Sequence, residues 1–253
     1  MSAPAPGPLV SVVMPAFNAA GTIEASMRSV LGQSFSDLEL IVIDDCSRDG
    51  TREVAGALAD ADPRVRIVVQ PANGGVAAAR NAGIGAARGR YVAFLDSDDC
   101  WLPTKLQAQL DAMRASDASV CYAAYVRVDP QGRMLSVVQP PAGVDHARML
   151  KSNWIGNLTG IYDRRIGDAA FQPVGHEDYV FWLEQVRRAG GAVRAGGGEP
   201  LASYLVRPGS LSADKFRAAR WQWNIYRRIE RLGVPRAAWY FCHYAFNSLR
   251  KRG

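Results

Sequence analysis

The chain has 253 residues, 48% of them hydrophobic, which suits one large soluble α/β domain or two small ones. Its net charge of +6 is uneven, because from Ala213 onward ten basic residues (Lys215, Arg217, Arg220, Arg227, Arg228, Arg231, Arg236, Arg250, Lys251 and Arg252) face only Asp214 and Glu230. A basic tail on a near-neutral body suits a local anionic partner and argues against a nucleic-acid-binding surface, and the absence of an apolar run of ~18 to 20 residues argues against a membrane span.

In chain order, "LVSVVMP" (Leu9 to Pro15), "LELIVID" (Leu38 to Asp44), "VRIVV" (Val65 to Val69) and "RYVAFLD" (Arg90 to Asp96) read as β-branched-rich strands bounded by turn residues. The intervening "TIEASMRSVLGQ", "TREVAGALAD" and "GVAAARNAGIGAA" carry helical periodicity. This βαβαβαβ series predicts an α/β fold with a mostly parallel sheet flanked by helices. A helix from about Pro103 to Ala115 follows, then "SVCYAAYVRVD" and "RMLSVV" as strands about the turn "DPQGR", and a helix from about Glu177 to Ala189. Two helical patterns, "ADKFRAARWQWNIYRRIERLG" and "PRAAWYFCHYAFNSLRKR", close the chain as a C-terminal appendage.

Ligands of such sheets bind beyond the carboxyl ends of the strands, and the unusual residues fall there. "FLDSDDCW" sets Asp96, Asp98 and Asp99 within four positions with no basic residue among them. Their mutual repulsion is relieved by a hard divalent cation such as Mn²⁺ or Mg²⁺; the alternative is a solvated acidic turn capping the next helix. Asp44 and Asp45 end the second strand, where a carboxylate accepts from a ribose hydroxyl or a uracil imide N–H, or caps a helix. In "MPAFN", Pro15 ends the first strand and sets Phe17 where its ring can stack on a base, with Asn18 beside it. "NGGVAAARNAG" offers a glycine pair for close backbone approach, with Asn73 before it and Arg80 inside the helix. Neither a dinucleotide fingerprint nor a GxxxxGK[ST] loop is present. Cys46, Cys100, Cys121 and Cys242 are scattered without a zinc-type grouping and read as small core residues.

The ordered set PxFN, IDDxSxDGT, NxGxAxARNxG and FLDSDD, from about Leu9 to Leu110, resembles the inverting nucleotide-sugar glycosyltransferases of family 2, which have the GT-A fold. "HED" (His176 to Asp178) is similar to the family's base motif, and "SNWIGNLTG", "YLVRPGSLS" and "WQWNIYRRIE" resemble bacterial enzymes of O-antigen and teichuronic-acid-like polysaccharides. The resemblance implies a catalytic domain over 1–212, with a nucleotide-sugar part over about 9–115 and an acceptor part over about 116–212, and basic aromatic helices over 213–253. It implies that Pro15, Phe17, Asn18, Asp44, Asp45, Asn73, Arg80, Asp96, Ser97 and Asp98 bind a nucleotide-sugar, with Asp45 favouring uracil or thymine. Asp98 and Asp99 would bind the metal, and His176, Glu177 and Trp154 the acceptor.

Asp178 would be the general base to the acceptor hydroxyl, so that attack opposite the leaving group inverts the anomeric centre. The QxxRW motif of processive members is absent, which implies one sugar per encounter. The implied reaction moves a hexose or N-acetylhexosamine, from a UDP-sugar by preference, to a lipid-diphosphate-linked saccharide. The C-terminal aromatic and basic residues suit an anionic inner-membrane surface, which predicts a cytoplasmic protein peripherally bound to that membrane; the alternative is that the aromatics pack on the domain. Two other functions fit the strand-end aspartates: a Mg²⁺-dependent nucleotidyl- or phosphotransferase, and a catalytically degenerate nucleotide-sugar-binding protein.

Overall fold

The computed structural model describes residues 7–207 and 215–250; the Pro/Ala-rich start, the end of "YLVRPGSLS", Asp214, Lys251 and Arg252 lie outside the described residues. The first half follows the predicted alternation: β1 (Val10–Ala16), α1 (Ile23–Leu31), β2 (Leu38–Asp44), α2 (Thr51–Ala61), β3 (Val65–Val69), α3 (Gly75–Ala86) and β4 (Tyr91–Phe94). Then come β5 (Cys100–Trp101), α4 (Lys105–Ser116), β6 (Val120–Tyr122), β7 (Ala124–Val128), β8 (Met134–Val138), β9 (Gly143–Val144), α5 (His146–Met149) and β10 (Ile161–Asp163). The chain continues through α6 (Glu177–Ala189), β11 (Ala192–Arg194), β12 (Pro200–Leu205) and α7 (Lys215–Asn224), a π-helical turn (Ile225–Ile229), and α8 (Val234–Arg250).

The strands form an eight-stranded sheet in the order β3-β2-β1-β4-β10-β6-β11-β9 and a four-stranded sheet in the order β5-β12-β7-β8. β1, β2, β3 and β4 are mutually parallel, whereas β10 runs antiparallel between β4 and β6. Period-2 alternation sends Val10, Val12 and Met14 of β1 into the core that holds α1 and α4, and Val13 into the core that holds α3 and α6. α3 approaches β1 closely at Gly83, where a Cβ would lie 2.2 Å from Val13 Cγ1.

Several predictions from sequence are corrected. "SVCYAAYVRVD" is not one strand: it breaks at Ala123 into β6 and β7, which belong to different sheets. β4 ends at Phe94, so Asp96 lies in the loop beyond it. Of the four cysteines only Cys121 is buried, and Cys242 is exposed. The C-terminal helices, by contrast, dock on the domain as the packing alternative expected, since Ile225, Tyr226, Ala237 and Tyr240 enter the same core cluster as Phe94 and Trp182.

At the end of the sheet away from the strand carboxyl termini, Glu39 is buried beside Ser11, Arg66 and Arg88. Burial alone would raise its pKa, but the bonds donated by Ser11, the Arg88 backbone N–H and the two guanidinium groups outweigh it and hold the carboxyl at about 2, against an ordinary value of 4.5. The folded form therefore gains stability above pH 4.5 that disappears as pH falls through 2. Glu39→Gln should lower stability at pH 7 and shrink the loss between pH 4.5 and 2, measured by urea denaturation across that range.

Candidate active site

The carboxyl ends of β1, β2 and β4 lie side by side, and hydrogen bonds stitch together the loops that leave them. Asn18, in left-handed backbone at φ 49°, donates its N–H to Ser47 and accepts from the Arg48 N–H at 2.9 Å. The Ala19 N–H donates to Thr51 Oγ1 at 2.8 Å, which ties the β1–α1 loop to the start of α2. Phe17 sits on this loop with its ring half in solvent, and Pro15 is buried within β1. An exposed aromatic beside a rigid loop is a ready platform for a flat ring.

Asp44 ends β2 and Asp45 lies just beyond it; both are buried but act differently. Asp44 pairs with Arg52 at 2.6 Å and accepts from the Ser47 N–H, so it braces the loop. Asp45 accepts from the Gly74 and Gly75 N–H groups, each at 2.8 Å, and its backbone carbonyl accepts from Asn73. It thus caps α3 from the loop after β2, meeting two of the orphan donors of that helix. Each carboxylate oxygen keeps a second lone pair for a ligand N–H.

The turn Asp96–Ser97–Asp98–Asp99 is closed by the Asp99 N–H donating to the Asp96 carbonyl at 3.1 Å. It caps no helix: β5 follows directly, and α4 begins only at Lys105, behind Thr104. Asp99 points inward, 2% exposed, and accepts from the Leu205 N–H of β12 at 2.9 Å. Burial, reinforced by repulsion from Asp96 and Asp98, pushes its carboxyl well above the usual range. Asp98 is more open, and burial followed by repulsion from Asp96 raises it too. Arg207, just past β12, reaches this turn: its Nε lies 3.4 Å from Asp98 Oδ2, and its Nη2 donates to Thr22 Oγ1.

The first turn of α6 is brought to the same edge. Arg80 of α3, only 4% exposed, donates to Asp96 at 2.7 Å and to Glu177 at 3.3 Å, while its guanidinium lies over the Phe171 ring. Burial, then repulsion from Asp178, raises the Glu177 pKa. Asp178, next along α6, accepts from Asn153 at 3.4 Å. His176 caps α6 in left-handed backbone, its ring edge-on to Trp221 and its Nε2 buried without a hydrogen-bond partner. Gly175 has no room for a side chain there, since a Cβ would meet the Trp221 ring at 2.0 Å. Trp154 donates its indole N–H to the Arg148 carbonyl on the segment before Asn153.

The structure therefore gathers Asp45, Asn73, Arg80, Asp96, Asp98, Glu177 and Asp178 along one edge, with Arg80 as the physical link between the acidic turn and α6. Sequence reasoning missed Asn153 and Arg207. Both lie in the segments "SNWIGNLTG" and "YLVRPGSLS", whose polar residues among apolar neighbours were the available signal.

Removing Arg80 leaves two carboxylates facing each other without a counter-charge. Arg80→Met should cost ~3 kcal/mol at pH 7, the scale for breaking a buried pair. Burial and repulsion from Asp178 already raise the Glu177 carboxyl, so the penalty should shrink as pH falls and Glu177 protonates. Chemical denaturation at pH 7.5 and pH 4.5 measures both, and an equal loss at the two pH values would contradict the bridging role.

The chain is similar to known proteins. Residues 11–162 match the model of "Glycosyl transferase family 2". The chain is 38% identical over 248 residues to a Bacillus subtilis protein named as the teichuronic acid biosynthesis glycosyltransferase TuaG, covering 97% of this chain and 98% of that protein. It is 34% identical over 218 residues to the Escherichia coli UDP-Glc:alpha-D-GlcNAc-diphosphoundecaprenol beta-1,3-glucosyltransferase WfgD, covering 86% and 85%. Among solved structures, Staphylococcus aureus TarS in complex with UDP-GlcNAc shares the fold at a TM-score of 0.73 and 20% identity, over 93% of this chain and 71% of that one. The Pyrobaculum calidifontis mannosyltransferase in complex with GDP-Man and Mn²⁺ shares it at 0.69 and 20% identity, over 90% and 65%. A strand-end acidic edge on a GT-A fold, a family match across three-fifths of the sequence and relatives of nearly equal length lead to one conclusion: the chain belongs to glycosyl transferase family 2 and is a glycosyltransferase.

Proposed function

We propose that this enzyme transfers a hexose or N-acetylhexosamine from a UDP-sugar to a hydroxyl of a lipid-diphosphate-linked saccharide, with inversion and one sugar per encounter, in the assembly of a bacterial surface polysaccharide. The observation that carries this reading is the Arg80 bridge, which ties Asp96 of the acidic turn to Glu177, the residue before Asp178 on α6. The names of TuaG and WfgD support the pathway and the lipid-linked acceptor, and WfgD supports the UDP donor. A lipid-borne acceptor puts the reaction at the cytoplasmic face of the inner membrane; among the described residues no helix is long and apolar enough to cross it.

Phe17 is suited to stack on the base, and the spare lone pairs of Asp45 to accept its imide N–H. Asn73 fixes the loop beneath, and Asn18 holds the Phe17 loop in place. Asp44 and Ser97 shape the ribose side, and Asp96 is oriented by Arg80 toward the sugar. Asp178 takes the proton as the acceptor O–H bond breaks and its oxygen attacks the anomeric carbon from the side opposite the diphosphate. The bond from that carbon to the diphosphate oxygen breaks, and the electron pair leaves with UDP. Asn153 orients Asp178, while Glu177, His176 and Trp154 line the approach of the acceptor.

A divalent cation fits the acidic turn: the donors are hard oxygens under mutual repulsion, and Asp98 is accessible, with Asp99 behind it. Among the described residues no three ligating side chains are gathered for a metal, so phosphate and water would complete the coordination of Mn²⁺ or Mg²⁺. When bound, the ion would neutralise charge on the departing diphosphate. Arg207 is placed to lend a second positive charge there.

Asp178→Asn should lower transfer ~10²- to 10⁴-fold while UDP binding by calorimetry is unchanged; transfer at the wild-type rate would remove Asp178 as the base. A thermal-shift panel of UDP-, GDP- and dTDP-sugars should show stabilisation by UDP-sugars that Mn²⁺ increases, and no response to any nucleotide would count against the donor site. Release of nucleotide without sugar transfer would favour a nucleotidyl- or phosphotransferase instead.

A further inference from the structure

α8 has two unlike faces. Ala237 and Tyr240 are buried and Phe241 packs against the core, whereas Val234, Ala238, Trp239, Cys242, Ala245 and Phe246 are exposed. At 100° per residue these six fall on one arc, opposite the buried side. Trp239 is 49% and Phe246 58% exposed, large apolar surfaces to leave in water on one helix face. α8 contains no acidic residue. Its surroundings are cationic: Lys151 places its ammonium over the Trp239 ring at 5.0 Å, and Arg231 and Arg236 border an open depression beside the helix. Glu230, nearby, is buried and already paired with Arg187 and His146.

We propose that this outward face of α8 is a membrane contact whose partner is an anionic bilayer, with the helix lying in the interfacial plane. Apolar residues on one arc with cations around them match the two attractions that hold an interfacial helix, burial among acyl chains and charge against anionic headgroups. A second copy of the chain fits less well, because pairing through this face would set one basic rim against another.

The location ties the surface to the reaction. Asn247 of α8 donates to the Lys151 carbonyl at 3.0 Å, and two residues further on Asn153 holds Asp178. From the other side, Trp221 of α7 packs on His176. The C-terminal helices thus bracket the turn that bears the base, and a bilayer under α8 would present a lipid-linked hydroxyl close to it. This last step rests on the proposed acceptor; the membrane contact itself does not.

The test is co-sedimentation of the full chain with vesicles of phosphatidylcholine, alone or mixed with phosphatidylglycerol, for the wild type and a Trp239→Glu/Phe246→Glu double variant. The wild type should sediment with the anionic vesicles, and the double variant roughly tenfold less, with an unchanged thermal melt. A wild type that stays in the supernatant, or a double variant that sediments as the wild type does, overturns the proposal. So does a solution dimer that the double variant dissolves, which would assign the face to a second copy. Should the double variant fail to fold, Trp239→Ser alone with the same vesicles decides. Sugar transfer from UDP-sugars to a lipid-diphosphate-linked saccharide carried in the same vesicles separates the two claims: vesicle binding without transfer leaves the membrane face standing and strikes the proposed function.

Discussion

The guanidinium of Arg80 is the contact on which the site depends. It is buried, carries a full charge, and touches two carboxylates from segments about 80 residues apart in sequence, Asp96 after β4 and Glu177 at the start of α6. A cation in such a place is tolerated only when paired, and the pairing fixes where α6 begins relative to the nucleotide edge of the sheet. The Phe171 ring under the guanidinium stacks on Phe181 of α6 at 4.1 Å, so apolar packing and ion pairing hold the same register. The Arg80 Nε has no hydrogen-bond partner, and the bridge is carried by Nη2 to Asp96 and Nη1 to Glu177.

Around this contact the two halves of the protein have different characters. The nucleotide half is a parallel sheet whose loops are tied to one another by Asn18, Asp45 and Thr51, a preorganised edge that has little to rearrange when a ligand arrives. The other half is assembled from short strands and from the C-terminal helices, which reach back toward the start of α6 through Trp221, packed on His176, and Asn247, bonded to the Lys151 carbonyl. Under the proposed function, donor recognition would rest on local, repeated βα units and acceptor recognition on long-range packing.

That difference explains what could be read from the sequence. The βα alternation and the strand-end acids were legible because period-2 and period-3.6 patterns are local, and each motif sits where its strand ends. The split of β6 from β7 was not, because no propensity distinguishes a strand that runs on from one that changes sheet at Ala123. The two-residue strands β5 and β9 have no pattern of their own and exist only through their partners. Asp45 read as a possible cap, but the helix it caps is α3, reached across the sheet edge rather than along the chain. Arg207 and Asn153 escaped notice because a polar residue in an apolar segment gives no partner by itself, and only folding brings these two to Asp98 and Asp178. The C-terminal aromatics divided between two destinations, Tyr226 and Tyr240 inward and Trp239 and Phe246 outward, which composition alone does not decide.

The central claim is that a single carboxylate, Asp178, activates the acceptor for one direct displacement at the anomeric carbon. The most direct measurement is the anomeric configuration of the product, read from the proton NMR coupling of the newly linked sugar after reaction with an α-configured UDP-sugar. One in-line displacement gives a β-linked product. An α-linked product would require two displacements or front-face attack, and would contradict the role assigned to Asp178.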